Sequence, residues 1–229
     1  MIAAIVLDIE GTTSPSSSVR VALYDYTRRH LARWLDENRD GAAASVITGT
    51  RELAAKPDAD LAEIAEILGK WLDSDTKAQP LKAAQGLICA EGFRSGMLHG
   101  EFFSDVPVAL AAWSKTGIPL YVFSSGSVRN QQDWFANARG GELRSLINGW
   151  FDLTTAGAKH QSSSYEAIAG AIGLPADGIL FLSDHPDELD AAVAAGWHVV
   201  GVARSEEPNS ARPPHRWINS FAELDLREQ

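Results

Sequence analysis

An apolar segment near the N-terminus ends in two acidic residues, and this pattern constrains the fold more than any other part of the chain. Residues 2–7 are rich in β-branched side chains, which is typical of a buried parallel strand. Asp8 and Glu10 follow directly, and Gly11 comes next. Because ligands of open α/β sheets bind where strands end, we expect both carboxylates near a binding site. Two acids at this spacing suit a hard cation such as Mg²⁺, or a nucleophile beside an acid/base group. They also fit an ordinary turn at the end of a strand.

The chain is acidic, which limits its partners. With 30 Asp and Glu against 20 Lys and Arg, the formal net charge is −10. This charge argues against nucleic acid or an anionic membrane surface as a partner. It also repels a phosphorylated substrate at long range. Any anion site must therefore be local, built from a metal ion, one or two cationic side chains and backbone N–H groups.

Cysteine use and the N-terminus predict a cytoplasmic protein. Cys89 is the single cysteine and cannot form an internal disulfide, which fits a reducing compartment. It lies in an apolar stretch, where a buried small side chain is expected rather than a nucleophile. The N-terminus enters the first strand without the pattern of an export signal, and no segment approaches the ~18 apolar residues of a membrane span.

The pattern of elements predicts two regions. Between Val19 and Met97 the apolar spacing is helical throughout, with candidate helices at 19–35, 42–55, 61–72 and 81–93. From Val106 onward, helices alternate with strands at 120–123, 149–152, 179–182 and 197–202. This alternation predicts a doubly wound parallel sheet that also takes in the first strand. We therefore predict an α/β core of residues 1–16 and 105–229, with an α-helical insertion over 17–104. The tail after Arg204 reads as a mixed loop with one short helical stretch at 221–224.

Three further polar signals lie in the predicted core. Ser124 and Ser125 follow the strand at 120–123, and Asp184 follows the strand at 179–182. Lys159 lies in a loop between them. Taken singly, each has an ordinary interpretation: a Ser-Gly turn, a helix-capping Asp and a solvated Lys. Taken together, in this order on this architecture, they form a coherent site for phosphoryl transfer.

In this combination the chain resembles the haloacid dehalogenase superfamily of phosphohydrolases. The commonest first motif of that superfamily has Asp at the third position, where this chain has Glu10. That difference, together with further matches along nearly the whole chain, makes it similar to the enolase-phosphatase (acireductone synthase) branch of methionine salvage. The matching segments are Asp8-Ile9-Glu10-Gly11-Thr12-Thr13, Ser124-Ser125-Gly126-Ser127-Val128, Gly157-Ala158-Lys159, Phe181-Leu182-Ser183-Asp184, Asp75-Thr76-Lys77 and Gly92-Phe93-Arg94-Ser95-Gly96.

The resemblance implies a role for each motif residue. Asp8 would attack phosphorus and form an aspartyl-phosphate, and Glu10 would act as the acid/base. Ser124 and Ser125 would bind the phosphoryl oxygens, and Lys159 would offset the charge of Asp8. The same resemblance implies Mg²⁺, held by Asp8, Asp184 and the main-chain carbonyl of Glu10. Asp187 and Glu188 fit two interpretations: orientation of Lys159 or of metal-bound water, or a favourable position at a helix N-terminus.

The implied reaction has two halves. A 2,3-diketo-5-methylthiopentyl-1-phosphate is enolised, and the enol phosphate is then hydrolysed to the acireductone 1,2-dihydroxy-3-keto-5-methylthiopentene. The helical insertion would act as a cap that excludes water. The enolisation base is left open among Lys82, Glu91, Arg94 (as an electrophile) and His99. The small phosphorylated diketone is the one partner expected of a monomeric enzyme.

Three other functions compete with this one. A generic sugar-phosphate phosphatase would share the core motifs and differ in the cap. A haloacid dehalogenase would use the same nucleophile without metal, but Glu10 and Asp184 suit Mg²⁺. A non-catalytic phosphate-binding protein would be expected to lack one of the motif residues, and this chain has them all. The family usually carries an Arg-Pro-Gly-Asn-like turn after the last core strand. In this chain the corresponding segment starts at Arg204 and departs from that pattern, so we assign that turn no substrate contact.

Overall fold

A computed structural model describes residues 2–74, 76, 78–208 and 211–226. Asp75 and Lys77, which belong to the segment Asp75-Thr76-Lys77 named above, lie outside the described residues. The chain divides into two compact units. The first comprises Met1–Ser18 and Gly100–Gln229, and the second is Val19–His99.

The first unit is built on a six-stranded sheet in which every pair of neighbours is parallel. Its strands are β1 (Ala4–Leu7), β2 (Leu120–Phe123), β3 (Gly149–Phe151), β4 (Ile179–Ser183), β5 (His198–Val202) and β6 (Trp217–Ile218). Their order across the sheet is β3-β2-β1-β4-β5-β6. All residues of β1 and β4 are buried, as expected for central strands covered on both faces. The predicted doubly wound α/β fold is confirmed.

The second unit is built of helices and turns in its described part, and the helices of the first unit pack against its own sheet. Along the chain they are α1 (Ser16–Val19), a π-helical segment (Arg20–Asp25), α2 (Tyr26–Glu37), α3 (Ala44–Leu53), α4 (Leu61–Asp73), α5 (Gln79–Arg94), α6 (Val106–Lys115), α7 (Val128–Ala136), α8 (Ser162–Ile172) and α9 (Pro186–Ala194). Short 3₁₀ turns lie at Arg144–Leu146, Ala176–Gly178 and Phe221–Glu223. Within the described residues, every helix is too short or too polar to cross a membrane.

The structure differs from the predicted elements in two places. The helix expected over 19–35 is not uniform, because its first part is π-helical. There the Thr27 hydroxyl donates to the Leu23 carbonyl (2.6 Å), and side-chain donors of this kind compete with the backbone inside helices.

The second difference lies in the tail after Arg204. We expected no strand there, and the structure has β6. Two residues are too few to show alternation. The strand is accommodated by Gly201, since a Cβ at that position would lie 2.3 Å from the ring of Trp217.

The core of the first unit is aromatic. Tyr165 of α8 is fully buried and makes edge-on contacts with Phe123, Phe181 and Trp197 at centroid distances of 5.3–5.7 Å. Phe123 ends β2 and Phe181 lies in β4, so this cluster packs directly beneath the carboxyl ends of the central strands. Cys89 is buried in the second unit, as predicted.

Candidate active site

The two central strands end side by side. Leu7 of β1 is in register with Leu182 of β4, and the Asp8 N–H donates to the Leu182 carbonyl (3.0 Å). The chain runs outward through β2 and β3 and then returns to place β4 on the other side of β1. This is the point where the strand order reverses, and ligands of doubly wound sheets bind there. Asp8 and Asp184 therefore both lie at the expected position.

A buried ion cluster occupies this position. The Lys159 Nζ lies 2.6 Å from Asp8 Oδ1 and 2.7 Å from Glu188 Oε2. The three side chains are each only 8–9% exposed. The ammonium also lies 5.7 Å from the ring centre of Phe123 and 6.0 Å from that of Phe181. A cation held this closely between two carboxylates has one available position, so Lys159 is fixed beside Asp8.

The loop that carries Lys159 is anchored to α8. The Tyr165 hydroxyl donates to the Lys159 carbonyl (2.8 Å), and the Ser164 hydroxyl donates to the Ala158 carbonyl (2.7 Å). Burial, together with the charges of Glu188 and Asp8, raises the pKa of Tyr165, so its hydroxyl remains a donor over the whole physiological range. The position of Lys159 is thus set by its backbone as well as by its charge.

Glu188 and Asp187 have different surroundings. Glu188 accepts a hydrogen bond from the Ser183 hydroxyl (2.8 Å) in addition to its contact with Lys159. Asp187 is exposed and pairs with Arg212, which holds the pKa of its carboxyl below the ordinary value. Of the two interpretations that the sequence left open, the geometry favours orientation of Lys159 for Glu188. It gives Asp187 a surface ion pair.

The loop after β1 turns tightly against Asp184. Gly11 has φ +71°, and a Cβ there would lie 2.4 Å from Asp184 Oδ2. The Thr12 hydroxyl accepts a hydrogen bond from the Asp184 N–H (2.9 Å). The Ile9 carbonyl accepts from the N–H groups of the three residues after Gly11, which closes the turn. The side chain of Glu10 is exposed at this turn. The glycine and the threonine therefore let two acidic strand ends approach each other.

The serines lie at the end of the neighbouring strand. β2 pairs with β1, so Ser124 and Ser125 follow a strand adjacent to the one that ends in Asp8. Ser124 is buried and Ser125 is half-buried. The side-chain amide of Gln131 donates to the carbonyls of Gly126 (2.7 Å) and Phe151 (2.9 Å), which pins the loop at the start of α7.

The electrostatics of the cluster are unbalanced. Burial raises the pKa of the Asp8 carboxyl well above its ordinary value; Lys159 opposes this effect, and Glu188 and Asp184 add to it. Burial also raises the pKa of Asp184, to about 6, and Glu188 contributes. Burial lowers the pKa of Lys159, but the charges of Asp8 and Glu188 raise it by more. The ammonium therefore stays charged. Asp8 and Glu188 thus contact the ammonium of Lys159, and Asp184 adds a third carboxyl group within range of its charge.

The structure brings some of the predicted residues into direct contact and only places others nearby. Asp8 and Lys159 touch, and Asp184 joins the same loop through Thr12. Ser124, Ser125 and Glu10 are placed at the same edge of the sheet by their positions after β2 and β1. Within the described residues, no group of three or more His, Cys, Asp or Glu side chains is arranged as a complete metal site.

Comparisons with known proteins identify the family of the chain. Residues 2–196 match the family model described as haloacid dehalogenase-like hydrolase. A relative from Nocardia farcinica named Enolase-phosphatase E1 is 66% identical over 99% of this chain and 97% of its own length. One of the same name from Streptomyces avermitilis is 48% identical over 90% of this chain and 86% of its own.

Solved structures show the same fold. The UTR4 protein of Saccharomyces cerevisiae has a TM-score of 0.81 at 27% identity and covers 98% of this chain and 100% of its own. CbbY from Rhodobacter sphaeroides, solved with phosphate, has a TM-score of 0.59 at 18% identity, covering 98% of this chain and 96% of its own, and is similar in fold alone. The chain belongs to the haloacid dehalogenase-like hydrolases and, within them, to the enolase-phosphatase E1 family.

Proposed function

We propose that this protein is a Mg²⁺-dependent enolase-phosphatase that converts 2,3-diketo-5-methylthiopentyl-1-phosphate to the acireductone 1,2-dihydroxy-3-keto-5-methylthiopentene, with release of phosphate, in methionine salvage. The chain is a phosphoric monoester hydrolase of its family. The observation that carries the proposal is the buried contact between Lys159 Nζ and Asp8 Oδ1 (2.6 Å) at the carboxyl end of β1.

In the phosphatase half, Asp8 is the nucleophile. An oxygen of its carboxylate bonds to phosphorus as the bond to the leaving oxygen breaks, and water then cleaves the aspartyl-phosphate. Glu10 gives a proton to the leaving oxygen and takes one from the attacking water. Lys159 lowers the pKa of Asp8 and so favours the ionised form that can attack. Ser124 and Ser125 bind the phosphoryl oxygens.

The residues present fit Mg²⁺. The donor set is carboxylate and carbonyl oxygen, which this cation prefers. The site also contains more carboxyl groups than the ammonium of Lys159 neutralises. Burial, with a smaller contribution from the neighbouring carboxyl groups, raises the pKa values of Asp8 and Asp184. Asp8, Asp184 and the main-chain carbonyl of Glu10 would hold the ion. When bound, it supplies positive charge to the phosphoryl oxygens and to the developing enolate.

For the enolase half, we propose that the helical unit serves as the cap. We leave the base unassigned among the candidates named from the sequence. Glu91 and Arg94 form an exposed ion pair in α5 (3.1 Å), so either one can reach a substrate only by giving up the other. We also propose that the enzyme is cytoplasmic and monomeric, and that its partner is the small diketo phosphate rather than nucleic acid or a membrane.

An ultraviolet time course on the diketo phosphate, with phosphate release measured in parallel, tests this function. We expect the wild type to form an enol intermediate and then release phosphate when Mg²⁺ is present. Asp8→Asn should form the enol and release no phosphate. Asp177→Asn is the matched control, because this exposed residue lies in the 3₁₀ turn before β4, at the opposite end of that strand from the site. It should behave as wild type.

Two outcomes would contradict the proposal. If the wild type hydrolyses simple phosphate esters but never enolises the diketone, the protein is a generic phosphatase of the same fold. If Asp8→Asn still releases phosphate at the wild-type rate, Asp8 is not the nucleophile.

A further inference from the structure

A buried arginine lies directly behind the acidic loop. The side chain of Arg204, which follows β5, is only 3% exposed. Its Nε and Nη2 both donate to the Thr12 carbonyl, at 3.0 and 2.9 Å. Its Nη1 donates to both carboxylate oxygens of Asp105, at 2.9 and 2.8 Å. One guanidinium therefore joins the loop after β1 to the start of α6.

The surroundings leave this guanidinium one orientation. The rings of Phe103 and Phe221 lie 4.5 and 4.7 Å from its central carbon, close enough for cation–π attraction. Asp105 is itself held by the Ser220 hydroxyl (2.8 Å) and the Phe221 N–H (2.6 Å). These buried contacts fix the direction of the N–H groups that donate to Thr12. We refer to Arg204, Asp105, Phe103 and Phe221 together as the frame.

Thr12 connects this frame to the site. Its carbonyl accepts from Arg204, and its hydroxyl accepts from the Asp184 N–H. The backbone of Thr12 is two residues after Glu10 and four after Asp8. A shift of Thr12 would therefore move the loop of the nucleophile relative to the end of β4.

We propose that Arg204 is a positioning residue for the reaction: through Thr12, it fixes the loop of Asp8 and Glu10 against Asp184 and so sets the spacing of the oxygens that hold the divalent cation. The proposal rests on the proposed function, since it needs a cation between these groups. Lysine cannot replace arginine in this role, because one ammonium cannot reach the Thr12 carbonyl and Asp105 in the planar, two-sided geometry of a guanidinium.

A purely structural role for Arg204, as the partner of Asp105, is the competing explanation. Two variants separate the explanations. Arg204→Lys keeps a charge for Asp105 but loses the paired bonds to Thr12. Asp105→Asn removes the negative charge, but its amide oxygen can still accept from Nη1, and Phe103 and Phe221 still flank the guanidinium, so Arg204 keeps its orientation toward Thr12. A structural role predicts that both variants lose function in proportion to their loss of stability.

The experiment measures Mg²⁺ binding to the full-length protein by isothermal titration calorimetry, together with kcat and KM for the diketo phosphate and urea unfolding. We expect Arg204→Lys to weaken Mg²⁺ binding by about tenfold or more, as is usual when a group behind a metal ligand is lost. We expect kcat to fall with it. Asp105→Asn should keep its Mg²⁺ affinity within about twofold despite a comparable loss of stability.

Thr12 supplies an independent check. Thr12→Val, which loses the hydroxyl, should weaken Mg²⁺ binding as Arg204→Lys does, and Thr12→Ser should restore it. Combined with Arg204→Lys, Thr12→Val should cost less than the product of the two separate effects, because both contacts act by fixing the position of residue 12. If Arg204→Lys does not fold, Arg204→Met with Asp105→Leu removes both charges together, which buried pairs often tolerate. That double variant should show the same loss of Mg²⁺ affinity.

Equal Mg²⁺ affinity in the wild type and Arg204→Lys would overturn the proposal. So would equal losses of affinity in Arg204→Lys and Asp105→Asn. Failure of the proposed function would give a different result, because the wild type itself would then bind no Mg²⁺ or release no phosphate.

Discussion

Removing the hydroxyl group of Tyr165 from the core should destabilise the loop that carries Lys159. Tyr165→Phe deletes the group that donates to the Lys159 carbonyl (2.8 Å) and leaves the ring in its edge-on contacts with Phe123, Phe181 and Trp197. The ring is fully buried, so water cannot replace the lost donor without opening the core. The variant therefore isolates one hydrogen bond.

The expected loss in the free energy of unfolding follows from the Lys159 carbonyl, which is left without its donor. A buried acceptor left without its donor costs about 1–3 kcal/mol, and the apolar packing is otherwise kept. We expect the free energy of unfolding of the α/β unit to fall by that amount. Because burial raises the pKa of Tyr165, the hydroxyl stays protonated in the wild type. The difference between the two proteins should therefore be the same at pH 7 and pH 9.

Urea unfolding followed by circular dichroism measures this difference. Tyr121→Phe is the matched control, since it removes the same group from a half-buried ring that packs against the same cluster. It should change the free energy of unfolding by less than about 0.5 kcal/mol. The reasoning is refuted if Tyr165→Phe costs no more than this control, or if its cost disappears between pH 7 and pH 9.

Two further predictions concern the loop after β1 and its frame. Gly11→Ala would place a Cβ 2.4 Å from Asp184 Oδ2 at a φ of +71°, so we expect phosphate release to fall by at least about 100-fold, measured with saturating diketo phosphate. Gly117→Ala, at φ +83° but with open space around its Cβ, controls for backbone strain alone and should remain active. Asp105 has a lowered pKa because its hydrogen bonds and the charge of Arg204 outweigh burial, so its stabilising effect is present above the ordinary carboxyl pKa and lost as pH falls through the lowered value. Because Asp105→Asn leaves the buried Arg204 without its counter-charge, it should cost about 3 kcal/mol at pH 7 in urea unfolding. This cost should shrink below pH 4, and a cost that is independent of pH would contradict the assignment.

The sequence predicts those features of the site that are encoded locally. Asp8 and Asp184 could be placed because each directly follows a buried apolar strand, and parallel strands end at one edge of a sheet. Strand β2 has the predicted bounds for the same reason. Arg204 could not be placed, because its contact with Thr12 joins residues 192 positions apart and leaves no local pattern. Strand β6 was not predicted because its two residues are too few to show an alternating pattern, and its pairing with Gly201 of β5 is visible only in the structure.

The charges of the site connect its stability to its chemistry. In the proposed mechanism, Asp8 must be ionised to attack phosphorus, yet burial and two neighbouring carboxyl groups favour its protonated form. Lys159 relieves only part of this, because Glu188 shares its ammonium. A site of this composition is expected to be least stable when metal-free and fully ionised. A divalent cation would bind best in that same state, since it needs the carboxylates that destabilise the empty site. Burial of an acidic excess is therefore the feature that would couple the binding of a divalent cation to the ionisation of Asp8.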